Sequence, residues 1–190
     1  MELPKRKILR LQGYDYSQNG AYFITICTHN REHLLSQITV GGGVLDTPKS
    51  GVLDTPKSGV LDTPKSELSN IGEIAEKHII SISKTYENIS IDNYVIMPNH
   101  IHMIIIINGE NGTSRVIENG TSRTPSPTMA VNAVIPRVIS TYKRFTNKEC
   151  GFGIWQRSYH DHIIRNEQEY IKIREYINTN PYKWDSDCYF

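Results

Sequence analysis

The stretch Ile89-Ser-Ile-Asp-Asn-Tyr-Val-Ile-Met97, Pro98-Asn99, His100-Ile-His-Met-Ile-Ile-Ile-Ile107 decides the fold. Its flanks are rich in Ile, Val and Tyr, residues that suit a pleated surface, and the Pro-Asn pair between them suits a tight turn. A β-hairpin is expected, with strands over 89–97 and 100–107 whose apolar density implies burial. Two imidazoles interrupt that density. His100 and His102 stand two apart on a strand, so they project from the same face. Two polar rings inside so apolar a run are costly unless they coordinate something. Paired neutral imidazoles make half of a divalent-metal site, which needs one more oxygen or nitrogen ligand.

Upstream, Tyr22-Phe-Ile-Thr-Ile-Cys-Thr28 reads as another strand. From Ser69 to about Lys84, Ile71, Ile74, Ala75, His78, Ile79 and Ile82 recur at helical spacing. Downstream, Pro136 suits the first turn of a second helix on which Ile135, Ile139, Tyr142 and Phe145 share a face, with Lys143 and Arg144 pointing outward. A fourth strand is expected within Ile154–Arg165. Asn166 and Glu169 then cap a last helix over Glu167–Thr179, which Pro181 should stop. Strand, helix, strand, strand, helix, strand is the split ferredoxin-like order. The expected class is α+β: an antiparallel sheet with helices on one face and one appended C-terminal helix.

The 190 residues suit a single domain, 1–190, with a core large enough to fold unaided. No segment reaches the roughly 18 uninterrupted apolar residues of a membrane-spanning helix, and nothing behind the basic start Met1–Arg10 reads as a secretion signal. A cytoplasmic location with no membrane partner is expected. Cys27, Cys150 and Cys188 are odd in number and far apart, which fits reduced thiols. The formal net charge of +1 announces no nucleic-acid partner by itself. Its distribution says more: Lys5, Arg6, Lys7 and Arg10 cluster, and Arg137, Lys143, Arg144, Lys148, Arg157 and Arg165 face only Glu149 and Asp161 over the same span. Both stretches could track phosphates or be solvated surface.

Gly-Val-Leu-Asp-Thr-Pro-Lys-Ser occurs three times in tandem over Gly43–Ser66, and Asn-Gly-Thr-Ser-Arg twice, from Asn111 and from Asn119. An eight-residue period is too short for a solenoid unit, and the Pro in each copy of the first repeat resists regular structure, while the second repeat runs into Thr124-Pro-Ser-Pro127. Two insertions, 41–66 and 109–128, are therefore expected to loop out of the domain.

On the last helix Tyr176 and Asn180 are four apart and share a face. Asn180 could supply a ligand oxygen. Tyr176 could be a nucleophile, although from spacing alone Tyr170 or Tyr182 could claim that role. His160-Asp161-His162 is a second pair at strand spacing, able to bind metal, touch phosphate or cap the turn that follows.

Tyr22-Phe-Ile-Thr-Ile, Met97-Pro-Asn-His-Ile-His102, Trp155-Gln-Arg, Asp161-His-Ile-Ile-Arg165 and Tyr176-Ile-Asn-Thr-Asn-Pro181 resemble, in this order, blocks of the REP-associated tyrosine transposases, which belong to the HUH-type single-strand transposases. The resemblance covers nearly the whole chain outside the repeats. It implies a ferredoxin-like catalytic domain in which His100 and His102 form the His-hydrophobic-His motif, Tyr176 is the nucleophile and Asn180 the third metal ligand. It implies magnesium or manganese, a 5′-phosphotyrosine intermediate, single-stranded or hairpin DNA as partner, and a monomer or a homodimer that exchanges the tyrosine helix. Candidate DNA contacts are Lys5, Arg6, Lys7, Lys143, Arg144, Arg157 and Arg165. The chain departs from the family in its two repeat loops and in a minimal extension beyond Pro181. Two other functions fit the same residues: a non-catalytic DNA-binding repressor, and a metal-dependent phosphoesterase that uses water.

Overall fold

The computed structural model describes residues 14–39, 65–109 and 133–186. Its backbone runs β1 (Gly20–Cys27), β2 (Ser36–Thr39), β3 (Lys65–Leu68), α1 (Asn70–Thr85), β4 (Ile89–Ile96), β5 (His100–Ile107), α2 (Val134–Cys150), β6 (His160–Ile164) and α3 (Glu167–Thr179). The main sheet has the order β4-β5-β1-β6, antiparallel throughout. This is the expected α+β, ferredoxin-like plan.

Alternation sorts the strands into two faces. Tyr22, Ile24 and Ile26 pair with Ile105, Met103 and Ile101, and all six are fully buried. Against this face pack Ala75, Ile79 and Ile82 of α1 and Ile135, Val138, Ile139 and Tyr142 of α2. Each large side chain so buried contributes about 1.5–3 kcal/mol, which makes this layer the core. The opposite face carries Phe23, Thr25 and Cys27 beside Ile104, His102 and His100, and α3 lies over it against β4 and β5.

Local chemistry fixes the helix ends. Ser69 caps α1, its Oγ accepting from Gly72 N at 3.1 Å. A Cβ on Gly72 would stand 2.0 Å from Leu35 O, so glycine lets the first turn of α1 press against that backbone. Gly151 ends α2 in the left-handed region, φ 81°. Asn166 caps α3 by accepting from Glu169 N at 2.9 Å, and Glu169 reaches back to Arg165 N at 2.8 Å.

Several expectations need correction. Phe145 is 43% exposed; Thr146 takes the buried position on α2. The α-helix does end at Thr179, ahead of Pro181, but the chain keeps coiling: Asn180 stays helical and a 3-10 turn continues over Asn180–Ser186. The ribbon β2–β3 was not anticipated. Its outermost pair is Thr39 with Lys65, and the last Lys-Ser of the repeats, Lys65-Ser66, is strand. Ser66 Oγ donates to Ile96 O at 2.6 Å. Gly109, placed in the second insertion, is tied to the fold by its N–H donating to Asn19 Oδ1 at 2.9 Å. The remainder of both insertions, 41–64 and 110–128, lies outside the described residues.

β4 also breaks step. Ile91 pairs with Ile105 and Asn93 with Ile104, leaving Asp92 as an extra residue. The bulge shifts parity: Ile89 and Ile91 face the helix layer, as do Tyr94 and Ile96, whereas Asn93 and Val95 face α3.

Candidate active site

The turn Pro98-Asn99 that launches β5 is braced on two sides. Thr28 N donates to Asn99 O at 2.9 Å and Leu35 N to Pro98 O at 3.0 Å, while Met97 N donates to His100 O at 2.9 Å across the turn. His100 and His102 therefore leave a rigid point. Both are buried, and their ring centroids lie 4.5 Å apart.

Each ring is held by an oxygen behind it. His100 Nδ1 lies 2.8 Å from Asn99 Oδ1, which can only accept, so Nδ1–H donates and the lone pair sits on Nε2. His102 Nδ1 lies 2.8 Å from Thr25 Oγ1, and Phe23 stacks on the same ring at 5.2 Å. Burial first, then the proximity of His100 and His160, hold the His102 imidazole well below its ordinary range, so it stays neutral. A neutral ring oriented through Nδ1 is the form that ligates a cation.

α3 completes the cluster. Tyr176 Oη lies 3.2 Å from His102 Nε2, and Phe23 meets the phenol edge-on with centroids 6.2 Å apart. One helical turn later stands Asn180, buried at the end of α3. One turn later again, Trp184 tilts over His100 at 6.0 Å and meets His33 at 5.4 Å. Asn180 thus lies between a contact to His102 and a contact to His100. Among the described residues no three of His, Cys, Asp and Glu gather closely enough to hold a metal. Asn180 offers a buried side-chain oxygen of a kind that could ligate a cation beside the imidazole pair.

The second histidine pair divides. β6 borders β1 with His160 opposite Thr25 and His162 opposite Phe23, so both project from the same face as His102. His162 Nε2 meets Glu169 Oε1 at 2.7 Å and anchors the first turn of α3. His160 is exposed, in the row of Thr25 and His102.

The basic candidates are scattered. Lys143 does not point outward: Nζ donates to Gln156 O at 2.9 Å and Ser158 O at 2.7 Å, and burial pushes its pKa down to about 8. Arg144 is exposed with its guanidinium 5.0 Å over the Phe145 ring. Both belong to α2, in the layer opposite Tyr176. Arg157 and Arg165 are exposed, the latter beside the start of α3. Lys5, Arg6 and Lys7 lie outside the described residues. Tyr170 and Tyr182 are not at the imidazoles: Tyr170 Oη donates to Asp92 Oδ2 at 2.7 Å, and Tyr182 is 54% exposed. Sequence reasoning missed Thr25, Asn99 and Trp184. The first two stand beside His100 and His102 only through strand pairing and the turn, and no local pattern marks Trp184.

The chain is 30% identical over 193 aligned positions to a Haemophilus influenzae protein described as uncharacterized, covering 96% of this chain and 91% of that one. The two chains belong to one family. That family's shared length takes in the His100–His102 strand and the Tyr176 helix. No family model matches the chain. Among solved structures, a REP-associated tyrosine transposase bound to a REP hairpin aligns with TM-score 0.53 and 18% identity, over 92% of this chain and 73% of that one. At that identity the likeness is one of fold. A Deinococcus radiodurans structure aligns at TM-score 0.40 and 14% identity over 90% of this chain. No helix among the described residues is long and apolar enough to cross a membrane.

Proposed function

We propose that the chain is a DNA transposase of the HUH type, similar to the REP-associated tyrosine transposases, that cuts and rejoins single-stranded DNA through Tyr176. One observation carries the reading: the Tyr176 hydroxyl lies 3.2 Å from Nε2 of His102, one of two buried, pre-oriented imidazoles on the same strand face. The fold shared with a transposase that binds a REP hairpin supports DNA as the substrate class, with hairpin DNA as the first to try.

His100, His102 and Asn180 would hold a divalent cation, magnesium or manganese. Bound there, it would favour the phenolate and polarise the scissile phosphate. The chain's own residues do the rest. Asn99 and Thr25 fix the two imidazoles, Phe23 packs against both the His102 ring and the phenol, and Trp184 covers His100. Tyr176 Oη attacks phosphorus as its proton departs; the P–O3′ bond breaks, the 3′-oxygen takes up a proton, and a 5′-phosphotyrosine remains. A later 3′-hydroxyl reverses the step. One phosphodiester replaces another, so no nucleotide cofactor is consumed.

The test incubates the chain with a single-stranded hairpin oligonucleotide and manganese, then resolves products on a denaturing gel. A covalent adduct mapped to Tyr176 by mass spectrometry is expected. Cleavage without an adduct would establish the water-using phosphoesterase instead, and binding without cleavage the repressor.

A further inference from the structure

α3 carries the proposed nucleophile, yet apolar burial does little to hold it. Ile177 is its one buried side chain, and Ile171 is 55% exposed. Polar contacts to strands set its place. Tyr170 Oη donates to Asp92 Oδ2 at 2.7 Å, and Asn93 Nδ2 donates to Asn178 Oδ1 at 2.9 Å. These two contacts bracket Tyr176 along the helix, and both come from consecutive residues of the edge strand β4.

A regular strand could not supply them. Successive side chains point to opposite faces, so Asp92 and Asn93 would serve opposite layers. The bulge removes that obstacle: Asp92 has no partner in β5, and Asn93, which would otherwise follow Ile91 onto the core side, is set opposite Ile104 on the α3 side. After it the alternation resumes, and Tyr94 Oη turns back to Glu76 of α1 at 2.9 Å. Bulges recur beside active sites because they re-aim side chains.

We infer that the bulge at Asp92 is a device for aiming the tyrosine helix, in which Asp92 and Asn93 are positioning residues for Tyr176. The inference rests on Tyr176 being the nucleophile. Without the two contacts, α3 is pinned chiefly near Ile177 and at its first turn by Glu169, and the hydroxyl loses its fixed approach to the site. Misplacement of a reacting group by 1 Å costs on the order of a hundredfold in rate.

The test compares the full chain with the Asp92→Ala/Asn93→Ala double variant in two measurements: hydrogen exchange of amides 167–179, and single-turnover adduct formation on a single-stranded hairpin oligonucleotide with manganese. The α3 amides should exchange faster and the single-turnover rate should fall about ten- to a hundredfold, with DNA affinity little changed. Asp92→Asn, which keeps an acceptor for the Tyr170 hydroxyl, should recover most of the rate. Tyr170→Phe should slow the reaction as Asp92→Ala does, and the two together should cost no more than either. Unchanged exchange in the double variant overturns the inference, as does a rate loss traced wholly to weaker DNA binding. No adduct from the unaltered chain overturns the transposase reading instead, and the exchange measurement then still decides whether the bulge holds the helix.

Discussion

The two faces of one sheet are built by opposite rules. Tyr22, Ile24, Ile26, Ile101, Met103 and Ile105 meet α1 and α2 in an apolar layer, each position defined by shape and burial. One residue over, Phe23, Thr25, His100 and His102 meet α3 in a layer where polar groups are buried and most contacts are directional. Strand alternation lets the first face stabilise the second. The core fixes the strands, and the strands present side chains whose burial alone would be unfavourable. Stability and activity should therefore separate by face.

The largest effect expected falls on the polar face. Tyr176→Phe keeps the ring against His102 and Phe23 but removes the attacking oxygen, so adduct formation should drop by about a thousandfold or more. Stability should change by less than about 0.5 kcal/mol. Tyr170→Phe, although slower, and Tyr182→Phe should still form the adduct. Mass-spectrometric mapping to a tyrosine other than Tyr176 would break the assignment.

Next come the imidazoles. His100→Ala or His102→Ala should each abolish magnesium- or manganese-dependent cleavage while the far-UV circular dichroism spectrum stays native. Full cleavage by the double variant would remove the metal from the mechanism.

On the apolar face the signs reverse. Ile24→Ala should cost about 3 kcal/mol of unfolding free energy in urea and leave cleavage per folded molecule close to that of the parent. A loss of activity without a loss of stability would mean that the two faces are not separable.

The apolar face should also govern alkaline unfolding. Burial first, and for Tyr22 the neighbouring Tyr14 hydroxyl, push the phenols of Tyr22 and Tyr142 well above their ordinary value, and Tyr94 is pushed up to about 12. A raised acid binds its proton more tightly when folded. Its contribution to stability is complete below pH 10, the ordinary tyrosine value, and is lost as pH rises through 12. Urea midpoints should fall between pH 9 and pH 11 on this account, and Tyr142→Phe should flatten the decline; equal slopes would argue that Tyr142 ionises no later in the fold than in the open chain.

The smallest effect is expected from the repeats. Excising residues 43–64 while keeping Lys65–Leu68 should shift stability by less than about 0.6 kcal/mol, since loop-closure entropy changes slowly with length. A large fall in melting temperature would show that the arm packs.

Much of this was legible locally. The hairpin 89–107, the boundaries of β5 and α3, the same-face pair His100 and His102, and the i, i+4 pair Tyr176 and Asn180 all follow from periodicity, because strand and helix geometry convert spacing directly into direction. The bulge also left a trace, since the apolar alternation Ile89, Ile91 resumes one position late at Tyr94, Ile96. Spacing alone left open the choice among Tyr170, Tyr176 and Tyr182, and left His160 and His162 as a second pair beside His100 and His102. Those choices depend on which strands neighbour which. Pairing β1 between β5 and β6 brings Thr25 to His102 and leaves His160 in the row of the site, whereas His162 is taken up locally by Glu169 across the β6–α3 turn. Lys143 shows the same limit from the other side: its helical position points to solvent, but carbonyls of the 156–158 segment bend it back. Periodicity fixes directions within one element; contacts between elements far apart in the chain are decided by how the sheet closes and which turns brace it, and that is tertiary.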